Sequence, residues 1–117
     1  LPKINEGHDR VINHIKTEIK FSLCSIGKKG PKEDCFFINH VSSGKDWDRL
    51  IFCGINYDIR NTRLFWFTKE DFKNKIKFIF AKQQGGNSLD NDDYKLSGSI
   101  SNLLNCQYIN NISDWIV

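Results

Sequence analysis

The chain has no methionine and opens on Leu1-Pro2, close upstream of an acidic residue, Asp9, that matters below. A native start residue is missing, so the sequence reads as a processed chain, an excised domain or the ordered part of something longer. Its four cysteines, Cys24, Cys35, Cys53 and Cys106, form no C-x-x-C pair and have no histidine at zinc-ligand spacing. Cys24 and Cys53 fall in apolar runs, and reduced, mostly buried thiols point to a cytoplasmic protein over a disulfide scaffold. The apolar runs are far short of a membrane span, and no signal-peptide pattern opens the chain. Neither a P-loop nor G-x-G-x-x-G is present, and no G-x-S-x-G elbow, which argues against nucleotide-cofactor and acyl-transfer chemistry. The formal charge is only +3, so any attraction to nucleic acid must come from a local basic surface.

What is present is enough for one domain: 117 residues, 39% hydrophobic, with nine Phe and three Trp for a core. Residues 10–13 and 15–23 read as two strands joined by a tight Asn13-His14 turn, since β-branched residues fill both runs and a polar pair breaks them. Leu50 to Ile55 is a continuous apolar run, expected as a central strand covered on both faces. Leu64 to Phe67 is a second, paired with it as a hairpin or a neighbour in a mixed sheet, and Trp66 within it reads as core. Thr68 stands as an N-cap with Asp71 three residues on, and Phe72, Ile76, Ile79 and Phe80 recur at helical spacing, which predicts a helix over 69–81. Cys35 to Ile38 starts another apolar segment, and residues 94–100 read as a further strand. Asp90, Asp92 and Asp93 lack the glycine and terminal Glu of a calcium loop and read as a solvated turn. Ile112, Trp115 and Ile116 make the tail apolar.

The run 15–22 alternates. Ile15, Thr17, Ile19 and Phe21 form a mainly apolar face, and Lys16, Glu18, Lys20 and Ser22 the other. An acid and an amine two residues apart on one strand face, with Asp9 delivered from the preceding strand or turn, make a small site for a divalent metal and an anionic substrate. Glu-x-Lys taken alone is more often an ordinary surface ion pair. The upstream acid, the apolar back face and the downstream strand order favour a site. Glu6 is a further acid nearby but sits toward the solvent-facing start of the chain. His8, adjacent to Asp9, turns to the opposite side of the strand and reads as a structural histidine, with His14 and His40 less close to the site.

Asp9 followed by Glu18-Ile19-Lys20 on an apolar-backed strand resembles the restriction-endonuclease-like PD-(D/E)XK nucleases. The segments Asp46 to Ile55 and Leu64 to Phe72 likewise resemble core strands and the following helix of bacterial type II restriction enzymes. One departure is that His8 stands where many members have Pro before the lone Asp. The resemblance implies an α/β fold, a central mixed sheet flanked by helices, and Mg²⁺-dependent cleavage of double-stranded DNA, with a homodimer compatible. It also implies roles: Asp9, Glu18 and the Ile19 carbonyl as metal ligands, and Lys20 as the group that orients or helps deprotonate the attacking water. A helix commonly precedes the lone Asp in this family, and its absence suggests an N-terminal segment removed or elsewhere.

For the DNA path, Lys28, Lys29 and Lys32 in the Gly- and Pro-containing loop 27–34, together with Lys16, are the candidate phosphate contacts. Gln83, Gln84 and Asn87 carry amides suited to adenine edges. Solvated loops would have the same composition. Trp47 and Trp115 have faces on which bases stack. Two rival functions remain: a structure-selective junction or repair nuclease, and a noncatalytic nucleic-acid-binding or protein-interaction domain.

Overall fold

The computed structural model describes residues 9–23, 35–56, 60, 62–83 and 92–111. Within them the chain is a small α/β domain with a mixed sheet and few helices. The strands are β1 (Arg10–Ile12), β2 (Ile15–Leu23), β3 (Cys35–Val41), β4 (Arg49–Ile55), β5 (Arg63–Thr68), β6 (Ala81–Gln83), β7 (Tyr94–Ser99) and β8 (Asn110–Asn111). A five-stranded sheet has the order β1-β2-β4-β5-β8, and a three-stranded sheet the order β3-β7-β6. In the first, β2 and β4 are parallel and the other neighbours antiparallel.

The first hairpin forms as its sequence predicts. Asn13 and His14 both take positive φ, 50° and 67°, the combination a two-residue type I′ turn requires to match strand twist. The turn sets Arg10 opposite Thr17. The Asp9 N–H then donates to the Thr17 carbonyl at 3.0 Å.

The two apolar runs pair as β4 and β5, in register Leu50 with Phe67 and Phe52 with Phe65. Their inward side chains, Leu50, Phe52, Phe65 and Phe67, are buried with Phe36, Ile38 and Val41 of β3 and Leu96 of β7. Gly54 lets the sheets close together: a Cβ there would lie 2.4 Å from the Phe36 ring. The Phe37 N–H donates to the Ser22 hydroxyl at 2.7 Å, tying β3 to β2.

Burial along β4 and β5 alternates, which corrects two expectations. Ile51, Cys53, Leu64 and Trp66 are only partly buried among the described residues, so β4 is covered on one face, and Trp66 lies outside the core. The apolar run marked a central strand correctly, but hydrophobicity alone does not say which face is covered. The same holds for β2. Its register with β4 puts Glu18 beside Leu50 and Lys20 beside Phe52, so the core lies on the Glu18/Lys20 side of the sheet. The apolar face expected as backing leaves Phe21 69% exposed.

Thr68 caps the helical segment, its hydroxyl accepting from the Asp71 N–H at 3.1 Å. The segment runs α1 (Lys69–Asp71), a π-helical stretch (Phe72–Ile76) and α2 (Lys77–Phe80). Phe72 and Ile76 are fully buried, but Ile79 is 58% exposed. The wider π turn shifts the phase of the apolar stripe after Ile76, and β6 begins at Ala81 where helix was expected to end. The strand expected over 94–100 stops at Ser99. That residue caps a helix the sequence reading missed, α3 (Ile100–Asn105), by accepting from the Asn102 N–H at 3.1 Å. Cys35, Cys53 and Cys106 are free thiols. No helix among the described residues is long and apolar enough to cross a membrane. Cys24, Trp115, the loop 27–34 and the apolar tail lie outside the described residues.

Candidate metal and phosphate site

Asp9 precedes β1, and the I′ hairpin carries it back to the middle of β2. Its Oδ2 accepts from the Ile19 N–H at 2.8 Å. Glu18, one residue earlier on the opposite face of the strand, reaches the same acid: a side-chain hydrogen bond joins the Glu18 and Asp9 carboxyls. Burial, that hydrogen bond and the Asp9 charge push the Glu18 carboxyl up to about 7, while Lys20 and Lys45 draw it down. Two carboxyls in contact cannot both ionise freely without a cation between them. Glu18 therefore holds its proton to higher pH than an ordinary carboxyl.

Lys20 follows on the Glu18 face. The three residues singled out for chemistry therefore lie on one hairpin, Asp9 and Glu18 in contact and Lys20 acting electrostatically on Glu18. Because N–H and C=O of one strand residue point the same way, the Ile19 carbonyl is directed toward the strand edge where Asp9 bonds the Ile19 N–H. Among the described residues no group of three or more His, Cys, Asp or Glu side chains gathers around one point. A cation here would rest on two carboxylates and a main-chain oxygen, leaving its other positions to water or substrate oxygen.

Lys16, a candidate phosphate contact, is paired with an acid of the turn before β4. Its Nζ lies 3.0 Å from both Asp46 carboxylate oxygens, so its charge is already partnered. Lys28, Lys29, Lys32, Gln84 and Asn87 lie outside the described residues, as do Glu6 and His8. Gln83 ends β6, and its side chain is likewise outside. Trp47 is not a stacking platform: it is 1% exposed, and its Nε1 donates to the Ser42 carbonyl at 2.8 Å.

Asp92 and Asp93 are not a solvated turn. Asp92 accepts from the Ser43 N–H and hydroxyl, each at 3.0 Å, and from the Gly44 N–H at 2.6 Å. Asp93 pairs with His40 at 3.2 Å, where His40 takes φ 58° beside a break in the β3–β7 register. The residue sequence reasoning passed over is Lys45, whose charge acts on Glu18. No local motif marks it. A cavity of about 650 Å³ lined by Phe80, Asn102, Asn105, Gln107 and Tyr108 includes none of the site residues.

Compared with known proteins, the chain matches no family model, no curated protein and no solved structure.

Proposed function

We propose that the chain is a magnesium-dependent endonuclease that hydrolyses phosphodiester bonds of duplex DNA, with a restriction-endonuclease-like core, as in a type II restriction enzyme or its cleavage domain. One observation carries the reading: Asp9, tied by its Oδ2 to the Ile19 N–H at 2.8 Å, sits beside Glu18, whose carboxyl is raised to about 7 by burial and the neighbouring acid, with Lys20 on the same strand face. A structural ion pair would bring opposite charges together. Here two acids are brought to one hairpin, where ionising both costs stability and a divalent cation would offset that cost.

The donor set fits magnesium, which favours oxygen ligands and retains several waters. Asp9, Glu18 and the Ile19 carbonyl would hold it, and when bound it would lower the pKa of a coordinated water and offset charge developing on the phosphate. Glu18 would release its proton to serve as a ligand. Asp9 is oriented by the Ile19 N–H, so one carboxylate oxygen is fixed while the other meets Glu18. Lys20 orients the attacking water or helps to deprotonate it, and offsets phosphate charge.

Supercoiled plasmid incubated with Mg²⁺ tests this, against chelator and against Glu18→Gln and Lys20→Ala. Cleavage that requires metal and both side chains is expected, with discrete bands marking site specificity. Metal-independent cutting, or full activity in either variant, would sink the assignment.

A further inference from the structure

The segment between β3 and β4 is a turn held at three points. Trp47 anchors it in the core, its ring 6.3 Å from Phe67 and 6.2 Å from Phe72. Its own backbone closes through Lys45 N–H to Ser42 carbonyl at 3.4 Å and Trp47 N–H to Lys45 carbonyl at 3.0 Å. The Lys69 ammonium also donates to the Lys45 carbonyl.

The second fixture is β2. The Asp48 N–H donates to the Lys16 carbonyl at 2.8 Å, and Asp46 pairs with the Lys16 ammonium at 3.0 Å. Lys16 and Glu18 share a strand face. The turn is therefore tied to the start of β2, its Asp46 on the face that carries Glu18 and Lys20.

The third is Asp92, which arrives from the start of β7 in the other sheet. Both its oxygens are taken by Ser43 and Gly44, and a Cβ on Gly44 would stand 3.0 Å from Asp92 Oδ2. Only a glycine admits that approach without displacement.

We infer that Lys45 is a further substrate contact of this site, an ammonium for a non-bridging oxygen of the DNA phosphate, and that Asp92 is the residue that positions it. The inference rests on the nuclease reading. Lys45 is the residue of the turn next to Gly44, its backbone is fixed, and its side chain is exposed, so the charge is fixed at its root and free at its tip. It bears on Glu18 together with Lys20. A phosphate approaching two carboxylates meets net negative charge, and a second ammonium offsets the repulsion. Lys16 is already paired with Asp46 at 3.0 Å. Its part is to fasten the turn.

The experiment measures binding of a linear duplex DNA fragment across salt concentrations, with Ca²⁺ in place of Mg²⁺, and then single-turnover cleavage of plasmid with Mg²⁺. Lys45→Ala should weaken binding on the order of tenfold and reduce the salt slope by about 1, and Lys45→Arg should restore most of both. Asp92→Ala should produce a similar loss. Added to Lys45→Ala it should lower DNA affinity little further, since a residue acting through Lys45 has nothing left to position. Asp92→Asn, which keeps one acceptor for Ser43, should recover part of the loss.

If the wild type binds and cuts DNA while Lys45→Ala leaves the salt slope and cleavage unchanged, this inference fails and the nuclease reading stands. Additive DNA-affinity losses in the double variant would remove Asp92 from the positioning role. A wild type that neither binds nor cuts DNA overturns both.

Discussion

Asp9 accepts a hydrogen bond from the backbone N–H of Ile19 at 2.8 Å, so the first acid of the site also finishes the edge of the hairpin that bears the second. The two duties separate by substitution. Asp9→Asn keeps an acceptor for Ile19 and removes the charge. It should leave thermal unfolding nearly unchanged while abolishing metal-dependent cleavage. Asp9→Ala removes both, and should cost about 1 kcal/mol of stability as well. Wild-type cleavage by Asp9→Asn would exclude the acid from the chemistry.

Glu18 makes the metal-free protein pH-sensitive. Its carboxyl is raised from 4.5 to about 7 in the folded chain, so between those values the native state holds a proton that the unfolded state releases. Stability should therefore fall as pH rises from about 4.5 to about 7. The side chain is partly open to solvent, so the effect should be on the order of 1 kcal/mol. Urea unfolding in chelator at several pH values, wild type against Glu18→Gln, isolates it: the variant should lack this decline. Mg²⁺ binding should release a proton within the same window, seen by calorimetry in buffers of different ionisation enthalpy. A difference between wild type and variant that does not change with pH would refute the raised Glu18 carboxyl.

His14 carries an energetic cost. It holds φ 67° in a turn position where glycine is preferred. His14→Gly should stabilise the protein by up to about 1 kcal/mol. The gain should come without loss of cleavage, because only the turn changes. Thermal unfolding of the two proteins measures it, and destabilisation would show that the imidazole contributes elsewhere.

Gly54→Ala presses a methyl into the Phe36 ring, since the added Cβ would lie 2.4 Å from it. The expected cost is about 1–3 kcal/mol. Phe36→Leu combined with it should cost less than the sum of the two single changes, because a smaller side chain yields the space. Chemical denaturation of the four proteins makes the cycle. Strict additivity would mean that the two residues do not meet.

The hairpin and the pairing of β4 with β5 were legible because their signals are local: β-branched runs, a polar two-residue break, and a cap at Thr68. The parallel register of β2 with β4 has no such signature, and with it went the question of which face is covered. The π turn was equally hidden, since Phe72 to Phe80 fits an ordinary helical stripe until the extra residue per turn is known. At the site, Asp9, Glu18 and Lys20 are near in sequence and could be read together. Lys45 could not, because its place depends on a bond between Ser43 and Asp92, 49 residues apart.

Among the described residues β1 pairs only with Ile15 to Thr17, and beyond them β2 runs on to Leu23 with Phe21 and Leu23 69% and 75% exposed. A strand edge that no described strand covers, bearing large apolar groups, is a template for a second chain to add to. Within that stretch stands Lys20, whose charge opposes such stacking. Lys20→Ala should therefore lower the concentration at which the protein self-associates, read by light scattering, even if its folded state is unharmed.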